Sequence, residues 1–406
     1  MRPVTRAESQ YLKTMPEYLA PGVYIEEIPS GVKPIEGVDT STAGFIGMAR
    51  SGPLDTPVGP MTSLVEFERQ FGDGSAIVCA GAPPIPAFMW HAVHAFFDGG
   101  GKHLWAVRVC GNAKSDGCER PGVEEFERGI ALLDAVKGLA MIAAPGATFV
   151  APEDPQDDAA EIMNTLIAHA ELMRYRLAVL DSPNGQTIEQ VGAWRARFSS
   201  SRAALYWPWV KARDANGAQI LLPPSAFIAG VFASIDIERG VNVSPADQPV
   251  RGASGVEAGI DDAQAAALDA QGIGCIRELA GRGIRVWNAP TLTGDPEWKY
   301  VNVRRYLIYL ERSIEDGVQW AVFETNGEEL WQNVQQTVSD FLFNEWQHGS
   351  LKGSAAHDAL FVRCDRSTMT RNDIDNGRVV VLVGVAPAKP AEFVMLRITV
   401  QTAPKC

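Results

Sequence analysis

Three short apolar runs decide the fold class of this 406-residue chain: LAMIAA at residues 139–144, LAVLD at 177–181 and AALYWPWV at 203–210. Each has the length and apolar content of a strand that is buried on both faces. The segments between them, residues 157–175 and 187–198, have the length and periodicity of helices. Alternating strands and helices are typical of a largely parallel sheet covered by helices on both faces. The sequence therefore predicts an α/β region.

The same pattern extends toward the N-terminus. Residues 43–49 (AGFIGMA) and 104–109 (LWAVRV) read as strands, and residues 63–71 and 86–97 read as helices. Downstream, Pro223 suits the first turn of a helix that would continue to residue 237. All these elements are expected to belong to one outer region.

Residues 243–259 are rich in Pro, Gly and small polar residues, and the pattern of predicted elements changes after them. Residues 284–289, 318–323 and 379–385 read as strands, and residues 300–316 as a helix. The tetrapeptide NGEE at residues 326–329 predicts the start of another helix at Glu328. The whole is predicted to be a mixed α/β, multi-domain chain. Its predicted parts are an N-terminal arm (1–28), an outer region (29–260), a C-terminal domain (261–391) and a C-terminal arm (392–406).

Both ends of the chain carry a strand pattern with no partner nearby in sequence. The run VYIEEI at residues 23–28 alternates and is bounded by Pro21 and Pro29, and residues 392–402 (EFVMLRITVQT) alternate in the same way. Proline next to a strand confines it to an edge position. An unpaired strand invites pairing with another chain.

Composition excludes several classes of protein. Hydrophobic residues make up 46% of the chain and charged residues 21%, which indicates a globular protein. Residues 1–275 hold 21 Lys and Arg against 33 Asp and Glu, so this acidic part is not expected to bind nucleic acid. No apolar stretch is long enough to span a membrane, and the first residues lack a secretory pattern, so a cytoplasmic protein is expected. The six cysteines form no CxxC pair and are expected to be reduced thiols.

The sequence shows no complete set of catalytic or ligand-binding residues. The stretch DGGGK at residues 98–102 precedes a strand, not a helix, and therefore indicates a helix stop rather than a phosphate loop. His91 and His94 share a helix with large apolar residues, where packed histidines are expected more often than metal ligands. We expect no catalytic residue, no cofactor and no metal. A nucleotide-using α/β enzyme built on residues 139–210 stays open as an alternative.

Several stretches together make the chain resemble the contractile tail sheath proteins of contractile phage tails and phage-tail-like contractile injection systems. They are APGVYIEEI (20–28), GVDTSTAGFIG (37–47), HAVHAFFDGGGKHLWAVRV (91–109), GIRVWNAPTLTGDPEWKYVNVRR (283–305), WAVFETNGEELW (320–331), VRCDRSTMT (362–370) and VGVAPAKPAEFV (383–394). The specific similarity lies in residues 18–55 and 272–402, whereas residues 112–245 correspond to the variable outer insertion of the family.

The resemblance implies two sets of contact residues. Terminal arms of such subunits insert as strands into the sheet of a neighbour. The arm residues here would be Val23, Tyr24, Ile25, Ile28, Phe393, Leu396, Ile398 and Val400. The helix that starts near Glu328 would pack its apolar side in the C-terminal core and turn a polar side toward the inner tube. That polar side comprises Gln332, Gln335, Gln336, Ser339 and Asp340.

The implied function is mechanical. Subunits similar to this one polymerise around an inner tube in a metastable packing and then contract, which drives the tube through a target cell envelope. The implied partners are further copies of the chain, the inner tube protein, and baseplate and terminal cap proteins, with no nucleic acid and no direct membrane insertion. The particle would be assembled in the bacterial cytoplasm as a phage tail or as a released phage-tail-like particle. A non-contractile ring or baseplate component is the remaining alternative.

Overall fold

The computed structural model describes residues 34–78, 84–111, 119–150, 156–214, 217–387 and 394–401. The strands are β1 (Ala43–Gly47), β2 (Pro57–Met61), β3 (Leu104–Arg108), β4 (Met141–Ala143), β5 (Leu177–Asp181), β6 (Ala203–Trp207), β7 (Val210–Arg213), β8 (Gln219–Leu222), β9 (Gly255–Val256), β10 (Gly274–Leu279), β11 (Gly283–Val286), β12 (Leu360–Arg363), β13 (Arg378–Val385) and β14 (Val394–Gln401). The helices are α1 (Leu64–Phe71), α2 (Phe88–Asp98), α3 (Val123–Leu132), α4 (Gln156–Met173), α5 (Ile188–Arg195), α6 (Ser225–Arg239), α7 (Asp262–Ala270), α8 (Val301–Gly317), α9 (Glu328–Gln347), α10 (Ala356–Ala359) and α11 (Arg371–Asp375).

A large sheet of eight strands has the order β11-β10-β6-β5-β4-β1-β3-β2. The pairs from β10 through to β3 are parallel, and only the edge strands β11 and β2 run antiparallel to their neighbours. The predicted α/β architecture with a largely parallel sheet is therefore confirmed. The predicted strand at residues 177–181 coincides with β5.

Helices cover both faces of this sheet. Helices α2 and α6 pack on one face and α3, α4, α5 and α7 on the other, in two separate hydrophobic clusters. The adjacent residues Phe45 and Ile46 of β1 belong to opposite clusters because successive side chains of a strand point to opposite faces. Every residue of β5 and β6 is buried, which is why their sequences are apolar except for Asp181 at the end of β5.

The large sheet continues past residue 260, where the sequence placed the boundary between the outer region and the C-terminal domain. Strand β10 pairs with β6, and β11 pairs with β10, so both belong to the large sheet. Residues 243–259 form loops and the short strand β9. A change in composition marks a loop there but not the end of a sheet. The C-terminal layer begins with α8.

This C-terminal layer joins α8 and α9 to a small antiparallel sheet of order β12-β13-β14. Its core is a third hydrophobic cluster that contains Leu307 and Leu310 of α8, Val334 and Val338 of α9, and Val381 of β13. This packing explains the amphipathic patterns of residues 300–316 and of the helix from Glu328.

The predicted strand at residues 318–323 is wrong, because Gln319–Phe323 form a 3-10 helix. Val318 and Ala321 are fully buried while Phe323 is 88% exposed. The two buried residues are three apart, which is the repeat of a 3-10 helix. The alternation seen in the sequence thus arose from a tight turn that continues α8.

The expectation of reduced thiols is also wrong for one cysteine. Cys110 is disulfide-bonded, whereas Cys275 and Cys364 are free and buried. Sequence spacing alone does not show which cysteines a tertiary fold brings together.

Candidate assembly surfaces

Helix α9 begins at Glu328, as predicted, and packs its apolar side in the C-terminal core. Leu330, Trp331, Val334, Val338 and Phe341 are buried. The indole Nε1 of Trp331 donates a 2.7 Å hydrogen bond to Oδ1 of Asn326, which fixes the start of the helix against the preceding loop. The structure therefore agrees with the prediction that the apolar side of this helix packs in the C-terminal core.

The polar side of α9 is only partly a free surface. Gln332, Gln336 and Asp340 are exposed, and Nε2 of Gln336 donates to Oδ1 of Asp340 at 2.7 Å. Gln335 and Ser339 are half-buried, and Oε1 of Gln335 accepts a 3.1 Å hydrogen bond from the backbone N–H of Cys364. Gln335 therefore ties α9 to the end of β12 within the chain.

Two phenylalanines near this surface were missed by the sequence reasoning. Phe343 is 40% exposed and follows Asp340 by one helical turn, so it extends the stripe of Gln332, Gln336 and Asp340. Phe323 lies shortly before α9 and is 88% exposed. Helical spacing could have found Phe343, but Phe323 was assigned to a strand and so its exposure was not foreseen. Exposed aromatic side chains are typical of contact surfaces.

The predicted arm residues divide into two groups. Val23, Tyr24, Ile25, Ile28 and Phe393 lie outside the described residues. The remaining three belong to β14, where Leu396 lies opposite Val383, Ile398 opposite Val381 and Val400 opposite Val379. These three valines of β13 are fully buried. In the single chain, β14 thus has a partner strand of its own.

A buried ion pair connects the two layers. Arg305 of α8 donates through Nη1 and Nη2 to the two carboxylate oxygens of Asp236 on α6, at 3.0 and 2.6 Å. Nη2 also donates to the carbonyl oxygen of Thr40 at 2.8 Å, and Oγ1 of Thr40 donates to Asp236 at 2.7 Å. The two charged side chains are only 6% and 4% exposed. A bidentate pair with additional hydrogen bonds fixes α6, α8 and the segment before β1 relative to one another.

The glycines after α2 are explained by packing. A Cβ atom on Gly99 would lie 2.9 Å from the Cα atom of Gly230, so α2 and α6 approach each other through these glycines. The helix ends where Gly100 adopts a φ of +107° and the N–H of Gly101 donates to the carbonyl of Phe96 at 2.9 Å. The interpretation of DGGGK as a helix stop is confirmed.

His91 and His94 of α2 pack against neighbouring side chains. His91 is buried, and burial lowers its pKa to about 4, which keeps the imidazole neutral. His94 stacks on Trp90 with ring centroids 5.3 Å apart. Among the described residues, no group of three or more His, Cys, Asp and Glu is arranged to hold a metal ion. No described helix combines the length and the apolarity that a membrane crossing requires.

Asp181 is a buried carboxyl group at the carboxyl end of β5. Its two oxygens accept hydrogen bonds from the backbone N–H and from Oγ of Ser225, at 2.8 and 2.7 Å. Burial raises the pKa of Asp181 to about 7, against the opposing effect of these hydrogen bonds. Both oxygens are used to anchor the start of α6, which is a structural role.

Replacing Asp181 by Asn is expected to change how stability depends on pH. The carboxyl group ionises near pH 4 in the unfolded chain but only near pH 7 in the folded one, so the wild type loses stability as pH rises between these values. The loss amounts to at most about 4 kcal/mol. Asn retains an acceptor for the N–H of Ser225 and donates to Oγ. Thermal melts should therefore shift in favour of the variant between pH 5 and pH 8.

The control for this prediction is Asp340→Asn, which removes a carboxylate from the exposed side of α9. Its difference from the wild type should stay constant across the same pH range. A constant difference for Asp181→Asn as well would show that Asp181 is not the source of the pH dependence.

Comparison with known proteins agrees with this architecture. The model of the phage tail sheath protein central domain matches residues 130–292, and that of the phage tail sheath C-terminal domain matches residues 293–401. The chain belongs to the phage tail sheath protein family. The boundary between the two matches lies just before α8, where the C-terminal layer begins.

Individual relatives extend the similarity over most of the chain. A protein named as a prophage major tail sheath protein of Pseudomonas aeruginosa (strain UCBPP-PA14) is 28% identical over 73% of this chain and 72% of its own length. The contracted PVC sheath complex of an extracellular contractile injection system matches with a TM-score of 0.72 and 28% identity, over 95% of this chain and 98% of the other. A chain of the anti-feeding prophage baseplate matches with a TM-score of 0.71 and 30% identity, over 95% and 100%.

Proposed function

We propose that this chain is the structural subunit of a contractile sheath, which polymerises around an inner tube and contracts to drive that tube through a target cell envelope. The observation that carries the proposal is the match over nearly the full chain to a subunit of a contracted sheath. The subunit acts mechanically and not as an enzyme: it stores free energy in a metastable packing, and many subunits release it together. It is assembled in the bacterial cytoplasm and forms part of a phage tail or phage-tail-like particle.

Electron microscopy of the purified protein tests this proposal. Hollow cylinders, alone or around a tube, are expected. A baseplate component is the second candidate, because a baseplate chain is among the matching structures. Single rings without cylinders would favour that candidate. A discrete monomer or dimer that binds a nucleotide would contradict both.

The exposed side of α9 is the surface that we assign to the inner tube. Gln332 and Gln336 present uncharged amides, and Phe343 adds an exposed aromatic ring at the end of the same stripe. A polar surface of low charge forms contacts that can be released, since it gains hydrogen bonds without burying unpaired charges.

Replacing both Gln332 and Gln336 by Ala is expected to weaken the association of the subunit with the inner tube protein about tenfold, a loss of about 1.4 kcal/mol. The midpoint of thermal unfolding should stay unchanged because both side chains are exposed. Co-sedimentation with preformed tubes measures the effect. The matched control is Glu161→Ala, an exposed change on α4. Tube association of the double variant equal to that of the control would place the tube contact elsewhere.

A further inference from the structure

A cavity of about 250 Å³ lies at the carboxyl ends of β1 and β4. Met48, which follows β1, lines one part of it, and residues 145–147, which follow β4, line another. The first two turns of α2, α3 and α4 add Phe88, Phe126 and Ile162 to the wall. A cavity of about 150 Å³ is enough to hold a benzene molecule. The space here therefore suffices for a small organic molecule.

The topology of the large sheet sets the position of this cavity. Strands β1 and β4 are parallel neighbours, so their carboxyl ends lie at the same edge of the sheet. After β1 the chain continues toward β2 and β3, and after β4 it continues toward β5 on the other side. The helices in these two connections, α2 and α4, lie on opposite faces of the sheet. Such a divergence leaves a crevice outside the carboxyl ends, which is where open α/β sheets bind ligands.

Aromatic side chains form a rigid wall of the cavity. The rings of Phe88 and Phe149 have centroids 5.0 Å apart, and Phe88 lies edge-on to Trp209 at 5.9 Å. Nε1 of Trp209 donates a 2.8 Å hydrogen bond to the carbonyl oxygen of Ser182, which fixes that ring. Gly146, with a φ of +86°, lets the loop after β4 approach Phe88, since a Cβ atom there would lie 2.6 Å from Cδ2 of that ring. The cavity thus offers fixed ring surfaces against which another flat ring can pack.

Two charged side chains of opposite sign line the same cavity. The guanidinium carbon of Arg120 lies 5.7 Å from the centre of the Phe149 ring, and its Nη2 donates to the carbonyl oxygen of Phe149. Asp158 of α4 is exposed and also lines the cavity. Because one group is positive and the other negative, neither a cationic nor an anionic ligand is favoured over a neutral one. The carboxylate of Asp158 can accept a hydrogen bond from an N–H or O–H group of a ligand.

We propose that this cavity binds a small, uncharged aromatic molecule with one N–H or O–H donor, of the indole and phenol class. The ring of the ligand packs against Phe88 and Phe149, and its donor bonds the carboxylate of Asp158 at the exposed side. The bound molecule connects the loops after β1 and β4 with α2 and α4, and it therefore stabilises the α/β region around the large sheet. This site goes beyond the proposed sheath function and does not involve the surface of α9.

Indole added to the full-length, unassembled subunit tests the site. At about ten times its dissociation constant, indole should raise the midpoint of thermal unfolding by about 2 °C. Calorimetric titration should show a single indole bound to each chain. Benzoate and benzylamine carry a charge in place of the neutral donor and should bind about tenfold more weakly, because the aromatic wall does not solvate that charge. Tighter binding of benzoate or benzylamine than of indole would contradict the proposed ligand class.

The variant Ala159→Leu fills the cavity from α4, because Ala159 is buried and lines it. The larger side chain takes the space of the ligand, so indole should bind at least about tenfold more weakly and its thermal shift should disappear. The matched control is Ala131→Leu, the same substitution at an exposed position of α3, which should bind indole as the wild type does. Should Ala159→Leu fail to fold, Val150→Trp fills the cavity from a half-buried position instead.

Equal indole affinities in the wild type and in a folded cavity-filling variant would overturn the proposal, as would the absence of any indole effect on the wild type. If indole had no effect while Ala159→Leu blocked sheath assembly, the cavity would receive a side chain of a second copy, and the small-molecule site would be refuted. Because indole binding is measured on the unassembled subunit, failure here leaves the sheath function untouched.

Discussion

The Arg305→Ala variant is expected to lose about 3–5 kcal/mol of its free energy of unfolding. The substitution leaves the carboxyl group of Asp236 buried without its bidentate partner, and it removes the donor to the carbonyl of Thr40. The midpoint of thermal unfolding should fall by about 4–6 °C. Calorimetry of the unassembled subunit measures the change, and sheath assembly at 37 °C should decline with it because α6 and α8 are no longer fixed to each other.

Two further variants isolate the buried pair as the cause. Arg366→Ala breaks a 2.9 Å ion pair with Glu328 whose side chains are 77% and 66% exposed, and exposed pairs contribute about 1 kcal/mol or less. The double variant Asp236→Leu with Arg305→Met removes both charges and should be more stable than Arg305→Ala alone. If Arg305→Ala melted within 1 °C of the wild type, the pair would not be what joins the layers.

The architecture of the large sheet could be predicted from sequence because its strands are short, apolar and separated by helices. Strands such as β5 and β6 are buried on both faces, and that environment selects an apolar run, which in β5 ends at the buried Asp181. The start of α9 was predictable for a different reason: Asn326 and Gly327 precede a run with helical spacing, and the helix begins at Glu328.

Features that depend on distant residues could not be predicted in the same way. Asp236 and Arg305 look like ordinary surface charges in the sequence, and only the packing of α6 on α8 buries them together. The turn at Gln319–Phe323 read as a strand because alternation over a few residues also fits a 3-10 helix with residues buried three apart. Gln335 was assigned to the polar side of α9 from its spacing, but the nearby end of β12 supplies a backbone N–H that holds it.

The arm residues show what alternation in a sequence can predict and what it cannot. Alternation in residues 392–402 identifies a half-buried strand, and β14 forms there. Alternation does not specify the partner strand. In the single chain β14 lies on β13, with Val394 opposite Val385 at one end and Gln401 opposite Arg378 at the other. The exchange of this strand between subunits remains a prediction, and the register makes it testable.

Removing residues 392–406 is expected to abolish sheath assembly completely. The deletion takes away β14, so the subunit should also lose thermal stability, because Val379, Val381 and Val383 of β13 would lose the strand beside them. Deleting residues 1–28 should likewise prevent assembly if that arm pairs with a neighbour. Sedimentation of the assembled fraction, beside circular dichroism melts, measures both effects. Truncated protein that still sediments as long cylinders would refute a role for the arms in assembly.

Loss of assembly alone does not prove strand exchange, since a destabilised subunit also assembles poorly. Cysteine pairs separate the two explanations: half-buried Leu382 of β13 lies opposite Arg397 of β14, a register suited to a disulfide. Two chains, one with Leu382→Cys and one with Arg397→Cys, both with Cys406→Ser, are to be mixed and assembled under oxidising conditions. Neither can form this bond within itself, so a cross-linked dimer that appears on a denaturing gel only when the two chains are mixed requires β14 of one subunit to lie on β13 of another. We expect dimers in assembled sheaths and none in the unassembled mixture. If the assembled sheaths gave no dimers, while a chain with both substitutions closed its own disulfide, β14 would stay on its own β13 and only residues 1–28 could serve as an exchanged arm.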